Sequence, residues 1–506
     1  MIKVPENEEL IEEYTVEADK VPAKIEIRDE DDYVERYRLK RPQPSAATEA
    51  ILEDVRNKTI ERADISRDNF KDSNQMEESR RIFRSTAEDI LMDQMPNLGE
   101  SDRNALIGNL IHQMLGLGDV EILLSDNNLE EIVINNADDP AWVYHKEYGW
   151  LHTDIEFESE SQIYNYASEV GRGVGKNISS LHPLLDAHLP SGDRTNATLN
   201  PITTKGNTIT IRKFARDPWT ITDFIEIGSI SAEMAAFLWL CMQYELNIIV
   251  SGGTGSGKTS LLGVMTPFIP PSQRILSIED TRELSLPEFL HWVPMTTREA
   301  NPDGEGEVSM QDLLVNSLRM RPDRILVGEI RKKRQAEVLF EAMQTGHSVY
   351  STVHADTAET TVKRMVNPPI DVSETVVGAV DLNVVMFRDR RRNFRRVLEI
   401  AEVIDQDEGG VDPHTIYHWN SQEDKFYKED TSNEIMEKLR RVTGMTDDEI
   451  EENISEKKEI LLWMVEHDVD ELEDVGRVIA EYYSDSDEVL EKIRNDQDPE
   501  QVVPQK

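Results

Sequence analysis

Hydrophobic positions recur at helical spacing in some parts of the chain and at strand spacing in others. Apolar residues three and four apart predict helices within residues 46–116 and again from Ser231 onward. Alternating apolar runs predict strands in EEIVINN and AWVYHKEYGWLHTDIEF, and a hairpin that turns near Lys205–Gly206. From residue 231 to about 404, strands alternate with helices, which predicts a parallel sheet with helical crossovers.

The pattern divides the chain into four predicted segments. Residues 1–104 are an acidic N-terminal segment that is partly helical, and residues 105–222 form a first α/β domain. The turn-rich stretch at Asp217–Pro218 marks the boundary with a second α/β domain, residues 223–405. Residues 406–506 form an acidic, mostly helical C-terminal extension.

Charge excludes several classes of function. The 506 residues include 99 acidic and 55 basic side chains, a net charge of −44. This balance argues against nucleic-acid binding, which needs a basic surface, and against docking on anionic lipid. The single cysteine, Cys241, excludes an internal disulfide framework and a Cys-rich zinc site. No signal-peptide pattern and no apolar run of about 18 residues is present, so we expect a cytoplasmic protein that does not insert into the membrane.

The acidic residues are unevenly distributed. Residues 231–400 hold 22 acidic and 19 basic side chains, whereas residues 401–506 hold 32 acidic and 11 basic ones. The nearly neutral block is therefore the first place to look for chemistry on a polyanion. The strongly acidic C-terminal extension predicts a solvated appendage that faces a partner.

A glycine-rich loop follows the apolar strand NIIV and precedes an apolar helix. Residues 252–259 fit G-x-x-x-x-G-K-[ST], whose backbone N–H groups surround phosphates. Lys258 would reach the β- and γ-phosphates, and Thr259 would ligate Mg²⁺. A plain glycine turn is the alternative, and the strand–loop–helix context disfavours it. The predicted nucleotide-binding residues are Gly252, Gly253, Thr254, Gly255, Ser256, Gly257, Lys258, Thr259 and Ser260.

Two further apolar strands end in carboxylates. RILSIED ends in Glu279 and Asp280, and DRILVGEIR contains Gly328 and Glu329. Because ligands of open α/β sheets bind beyond the carboxyl ends of the strands, these acids are expected beside the loop. Glu329 is the candidate that orients the attacking water and Glu279 assists it. The alternative is that each is only a strand-end acid.

Histidines and arginines supply the remaining candidates. His347 and His354 flank a fourth strand, SVYSTV, and a γ-phosphate sensor is favoured over metal binding because no third ligand lies nearby. Positive groups that could stabilise the transferred phosphoryl, or alternatively form surface ion pairs, are Arg194, Arg212, Arg321, Arg324 and Arg331. The basic run 388–396 is interpreted as a charged hairpin that meets acidic protein surface.

The ordered segments SGGTGSGKTS, SIEDTREL, LRMRPDRILVGEIR and TGHSVYSTVHADT resemble the Walker A, Asp box, atypical Walker B and His box of type II/IV secretion system ATPases. Two upstream segments, GLGDVEILLSDNNLEEIVINN and HPLLDAHLPSGDRTNA, resemble the N-terminal α/β domain of that family. The resemblance implies a RecA-like P-loop ATPase domain over residues 223–405, preceded by the smaller α/β domain. It also implies catalytic roles for Glu329, Glu279, His354 and His347.

The resemblance further implies a homo-hexamer that binds ATP and Mg²⁺ between the two domains. Arg194 and Arg212 would approach the nucleotide, and the motor would act on an integral-membrane platform protein at the inner face of the membrane. One cysteine cannot form the four-cysteine zinc motif of bacterial pilus members, which favours the archaeal-type branch.

A pilus or type II-like secretion motor ranks first and an archaellum motor second. A DNA translocase on the same core is disfavoured by the acidic charge. A scaffold that does not hydrolyse nucleotide is disfavoured by the intact Lys258, Thr259 and Glu329.

Overall fold

The structure, a computed structural model, describes residues 9–30, 33–41, 44–62, 73–189, 192–214, 218–300, 304–392, 394–405 and 410–503. The chain divides into two compact units, Met1–Asp217 and Pro218–Lys506. Both are mixed α/β structures built on a large sheet, as the sequence predicts.

The first unit contains the helices predicted within residues 46–116 and the strands predicted around residues 130–212. Its strands are β1 (Glu9–Ala18), β2 (Val21–Asp29), β3 (Arg36–Lys40), β4 (Leu129–Ile134), β5 (Trp142–His145), β6 (Gly149–Thr153), β7 (Leu184–His188), β8 (Arg194–Thr198) and β9 (Thr208–Arg212). Its helices are α1 (Ala46–Arg62), α2 (Ser73–Gln94), α3 (Glu100–Leu115), α4 (Val120–Ser125) and α5 (Glu160–Gly173).

The first sheet has the strand order β1-β2-β3-β6-β5-β4-β9-β8-β7 within the described residues. Its first three strands lie in the segment that the sequence marks only as acidic and partly helical. Lys24 and Asp29 are exposed on β2, while Ile25 and Ile27 are fully buried. Tyr14 of β1 and Tyr37 of β3 each donate a hydrogen bond to the buried Asp126, at 2.7 Å. The segment is therefore anchored to the α/β part of the unit.

The second unit begins with α6 (Ile221–Glu226) and α7 (Ala232–Gln243), whose N-cap is Ser231. Its strands are β10 (Ile248–Gly252), β11 (Ile275–Glu279), β12 (Trp292–Thr296), β13 (Arg324–Val327), β14 (Ser348–Val353), β15 (Leu382–Asp389), β16 (Phe394–Asp405), β17 (Val411–Asn420) and β18 (Lys425–Lys428). The helices between them are α8 (Lys258–Met265), α9 (Met310–Ser317), α10 (Lys333–Gln344), α11 (Ala358–Val366) and α12 (Glu374–Val377).

The second sheet has the strand order β12-β11-β13-β14-β10-β15-β16-β17-β18 in the described part of the chain. The strands from β12 to β15 pair in parallel, and those from β15 to β18 pair in antiparallel fashion. The parallel strands β10, β11, β13 and β14 are buried along their whole length, as continuous apolar strands require. Parallel pairing brings their carboxyl ends to one edge of the sheet.

The C-terminal region packs on the second unit. Its helices are α13 (Asn433–Thr443), α14 (Asp447–Glu466), α15 (Leu472–Ser484), α16 (Ser486–Arg494) and α17 (Pro499–Val502). Leu461 and Ile479 join the same buried cluster as the residues of α7. Trp239 of α7 donates to the Tyr483 hydroxyl at 2.7 Å, and that hydroxyl donates to the Phe268 carbonyl at 2.6 Å.

The expectation of a solvated appendage is therefore wrong for these helices. It is also wrong for β17 and β18, which belong to the same C-terminal region and extend the second sheet. Net charge reports the exposed faces, whereas the apolar faces determine where each helix packs. Among the described residues, no helix has the length and apolar character needed to cross a bilayer.

Candidate nucleotide site

The glycine-rich loop connects β10 to α8 in the predicted strand–loop–helix arrangement. Gly255 and Gly257 have φ values of +71° and +90°, which glycine adopts without strain. A Cβ added at Gly252 would lie 2.5 Å from the Met386 carbonyl oxygen, and one at Gly255 would lie 2.6 Å from Arg388 Nη1. The loop therefore depends on glycine for both its conformation and its close packing.

Lys258 and Ser256 hold the loop from within. Lys258 is the first residue of α8 and only 8% exposed, and its Nζ donates to the Gly253 carbonyl at 3.0 Å. The Ser256 hydroxyl donates to the same carbonyl at 2.9 Å. Thr259 is half-buried in the first turn of α8, and Thr254, Gly255 and Ser260 are exposed. The amide groups of the loop and the helix terminus suit a phosphate chain.

Glu279 ends β11 and is 2% exposed. Its Oε1 accepts from the backbone N–H groups of Glu283 at 2.9 Å and Leu284 at 3.1 Å, whereas its buried Oε2 has no hydrogen-bond partner in the protein. Burial raises the pKa of this carboxyl from 4.5 to about 7. A buried carboxyl with one unsatisfied oxygen at the phosphate edge of the sheet is suited to contact a water molecule.

Glu329 is fixed between two neighbouring strands. The Gly328 N–H donates to the Ile278 carbonyl at 2.9 Å, and the Ile330 N–H donates to the Thr352 carbonyl at 3.0 Å. The Thr352 hydroxyl donates to the Gly328 carbonyl at 2.6 Å. The backbone on both sides of Glu329 is thus held by β11 and β14.

The Glu329 carboxylate lies between Arg331 and His354. Arg331 donates to Oε2 from Nε at 2.9 Å and from Nη2 at 2.7 Å, and its Nη1 donates to Asp280 at 3.0 Å. His354 Nε2 lies 3.4 Å from Glu329 Oε1. Desolvation, followed by the nearby charge of Lys258, lowers the pKa of His354, which favours a neutral ring. The structure therefore brings Lys258, Glu279, Glu329, His354 and Arg331 to one edge.

His347 lies at the opposite edge. It precedes β14, and the parallel register pairs Ile248 with Tyr350 and Ser251 with Val353. The strand between the two histidines separates them by roughly 20 Å. His347 Nδ1 contacts the Ala342 carbonyl at 3.3 Å and the Thr345 hydroxyl at 3.2 Å. Within this chain, His347 does not join the predicted site, because six extended residues separate it from the loop edge.

The candidate arginines divide in the same way. Arg324 begins β13, so it lies at the amino edge, and it is fully buried. It donates to Gln273 at 2.6 Å, to Ser348 at 2.8 Å and to the Tyr350 hydroxyl at 2.6 Å. Its position excludes contact with a nucleotide on the loop. Arg321, with a φ of +55°, precedes the same strand and shares that edge.

Arg194 and Arg212 belong to the first unit. They are directly opposite each other on β8 and β9, and both are exposed. Arg194 forms an ion pair with Asp186 at 2.7 Å. Two exposed guanidinium groups on one sheet face could receive an anion, and their approach to the nucleotide stays a prediction.

Arg388 and Arg395 contact the phosphate loop, although the sequence does not predict this. They lie in the basic run 388–396, interpreted from charge as a contact for acidic protein. The run does form a hairpin, as predicted, between β15 and β16. Arg395 Nε donates to the Gly255 carbonyl at 3.2 Å. No local pattern in the sequence indicates this contact, because it depends on the pairing of β15 with β10.

The residues at this edge fit a nucleotide bound with Mg²⁺. Among the described residues, no group of three or more His, Cys, Asp and Glu side chains could hold a metal ion by itself. A P-loop site does not need one, because its Mg²⁺ is held by the loop hydroxyl, here Thr259, and by phosphate oxygens. The left-handed glycines, Lys258 and the unsatisfied Glu279 oxygen match that donor set.

A phosphate loop with carboxylates at the ends of neighbouring parallel strands defines a nucleotide-binding α/β protein. The family described as Type II/IV secretion system protein matches residues 113–386, and the chain belongs to that family. It is 34% identical over 413 residues to the uncharacterized protein MJ0900 of Methanocaldococcus jannaschii. The aligned region covers 80% of this chain and 73% of that protein.

The chain is also 31% identical over 306 residues to the type IV secretion system protein PtlH of Bordetella pertussis. The aligned region covers 54% of this chain and 89% of that protein. Among solved structures, the Legionella pneumophila ATPase DotB matches 75% of this chain and 92% of its own length at 18% identity, with a TM-score of 0.41.

Proposed function

We propose that the chain is a Mg²⁺-dependent ATP hydrolase that works as a hexameric motor for assembly of a type IV pilus-like structure or for type II-like secretion. The observation that carries the proposal is the shared edge of four neighbouring strands. There the loop lysine, the buried Glu279, the fixed Glu329 and the neutral His354 lie together. Membership of the secretion system family supports the same conclusion.

The positions of these residues suggest a separate role for each. The loop amides and Lys258 bind the phosphate chain, with phosphate oxygens replacing the Gly253 carbonyl as partner of Nζ. Thr259 would help to hold Mg²⁺, which would supply positive charge against the negative charge that grows on the transferred phosphoryl group. Glu329 orients water toward the γ-phosphate, and Arg331 and His354 hold its carboxylate. Neutral His354 can offer one N–H to the γ-phosphate or to Glu329.

The wider assembly is part of the proposal. Arg194 and Arg212, exposed on one sheet face, would contribute positive charge to the nucleotide, and movement of the two units on hydrolysis would be passed to an integral-membrane platform protein. The motor would therefore sit at the inner face of the membrane through its partner. Similarity to a Methanocaldococcus jannaschii protein over 80% of the chain supports the archaeal-type branch.

The test is a steady-state ATPase assay on the purified full chain. We expect phosphate release that requires Mg²⁺ and disappears with a chelator. Lys258→Ala should remove it by weakening phosphate binding, whereas Lys363→Ala, an exposed helical lysine paired with Glu359, should keep it. An assembled, folded chain with no Mg²⁺-dependent hydrolysis would overturn the proposal. Light scattering of the same sample tests the hexamer.

A further inference from the structure

The β15–β16 hairpin rises beside the phosphate loop. β15 pairs in parallel with β10, and the register places Met386 opposite Gly252, the last residue of β10. Residues 387–389 of β15 therefore continue past the end of β10, alongside the loop. The hairpin returns through β16, where Arg395 is directly opposite Arg388. The loop consequently has a wall on the side away from β14.

Two arginines of this wall contact the loop. Arg395 Nε donates to the Gly255 carbonyl at 3.2 Å, which fixes the orientation of that peptide. A Cβ added at Gly255 would lie 2.6 Å from Arg388 Nη1, and one at Gly257 would lie 3.3 Å from Arg395 Cδ. Both guanidinium side chains thus pack against the two left-handed glycines that shape the loop.

The pair concentrates positive charge at the loop. Like charges directly opposite each other on neighbouring strands repel, and a nearby polyanion relieves that repulsion. Asp389, which lies between them in sequence, accepts from the backbone N–H groups of Arg391 and Arg392 at 2.8 and 3.1 Å. A triphosphate bound on the loop would bring negative charge close to both guanidinium groups.

The hairpin is held in place before any ligand binds. The Ser229 hydroxyl donates to the Arg395 carbonyl at 3.0 Å, and the Val397 N–H donates to the Ser229 carbonyl at 2.8 Å. Arg396 donates to both carboxylate oxygens of Asp424 at 3.0 Å. Because the backbone around Arg395 is already fixed, little conformational entropy remains to be lost when a phosphate chain binds.

We propose that Arg388 and Arg395 are positioning residues for the nucleotide. They hold the phosphate loop in its binding conformation from the hairpin side, and they add two fixed positive charges to the site of a nucleoside triphosphate. The inference rests on the proposed function, because it names further residues for the same site. It replaces the interpretation of these two arginines as a contact for acidic protein.

The experiment compares ATP binding by the full-length wild type, Arg388→Gln, Arg395→Gln and Arg395→Lys. Arg391→Gln is the matched control, because Arg391 is exposed at the hairpin tip and its backbone bond to Asp389 survives the change. We expect each Gln variant to raise the Kd for a fluorescent ATP analogue by about 10-fold, as loss of one charge-assisted contact does. Arg395→Lys keeps the positive charge, so its Kd should lie between the values of the wild type and Arg395→Gln.

A second readout separates positioning from folding. The melting temperature without nucleotide should match that of Arg391→Gln, while the rise produced by ATP should be smaller in both Gln variants. KM should rise more than kcat falls. Gln variants that bind ATP as tightly as Arg391→Gln would overturn this inference and leave the proposed hydrolase intact. A wild type that binds no nucleotide would overturn both.

Discussion

The two edges of the second sheet carry similar residue types and use them differently. At the amino edge, Arg324 is fully buried with three side-chain partners, and His347 bonds to its own neighbouring turn. At the carboxyl edge, Glu279 is equally buried but keeps one oxygen without a partner, and Glu329 is fixed in backbone yet 16% exposed in side chain. Hydrogen-bond satisfaction alone does not separate the two edges, because Nη2 of the buried Arg324 also has no hydrogen-bond partner. The edges differ in position, since only the carboxyl edge lies beside the phosphate loop.

The comparison also shows what strand polarity contributes. In a parallel sheet, a polar residue before a strand and one after it lie at opposite ends of the domain. His347 and His354 are separated by one strand and have opposite environments, although the sequence treats them as a pair. We therefore expect substitutions at the carboxyl edge to affect catalysis and substitutions at the amino edge to affect stability.

The largest expected effect belongs to Glu329. Glu329→Gln should lower kcat by on the order of 10³–10⁴-fold, because an amide does not orient and polarise water as a carboxylate does. Glu337→Gln, on the exposed side of α10, is the matched control and should keep wild-type turnover. Wild-type turnover in the Glu329 variant would show that hydrolysis does not take place at the carboxyl edge.

Arg324 should matter for stability alone. Arg324→Met leaves the Ser348, Tyr350 and Gln273 groups without their hydrogen-bond donor, and we expect a loss of about 1–3 kcal/mol in the free energy of unfolding of the second unit. Urea denaturation measures it, with exposed Arg319→Met as control. Activity per folded molecule should be unchanged. A stable variant that lost turnover would instead place Arg324 in the reaction.

Glu279 should make stability depend on pH. Its pKa is raised from 4.5 to about 7, so between these values the folded state binds more protons than the unfolded state. Stability therefore falls as pH rises through this window, by about 3 kcal/mol in all. Glu279→Gln should lose this dependence in denaturation at pH 5 and pH 8, whereas exposed Glu288→Gln should keep it. Identical profiles for wild type and Glu279→Gln would contradict the account of burial.

The histidine pair should give the smallest contrast. His354→Ala should lower kcat by about 10-fold, the effect of losing one hydrogen bond at the transition state, and His347→Ala should change it less than about 2-fold. The kcat of each variant is measured at saturating ATP. Equal losses in the two variants would mean that the amino edge reaches a nucleotide in the assembled motor, for example one held by a neighbouring copy.

The sequence predicts the carboxyl edge well because its signals are local. The loop pattern, and the acids or histidine that follow apolar strands, place Lys258, Glu279, Glu329 and His354 without any knowledge of distant contacts. The order of the strands in the sheet could not be predicted this way. Arg388 reaches Gly255 only because β15 pairs with β10 across more than 100 residues of chain.

Burial by distant partners explains the other differences. Strands β1 to β3 carry many charged residues, and Leu10 and Ile11 of β1 are exposed, so the sequence does not show which positions are buried until Tyr14 and Tyr37 contact Asp126. The C-terminal helices are acidic on average, yet Lys457 of α14 is fully buried and its pKa is lowered to about 7 by desolvation. The acidic composition of such a helix describes its exposed face and does not show which part of the protein its apolar face packs against.

The most direct test of the central claim is an experimental structure of full-length Glu329→Gln bound to ATP and Mg²⁺. We expect the triphosphate on the loop at residues 252–259, with its γ-phosphate facing Lys258, residue 329 and His354. A triphosphate bound at the amino edge of the sheet, or away from the loop, would contradict it.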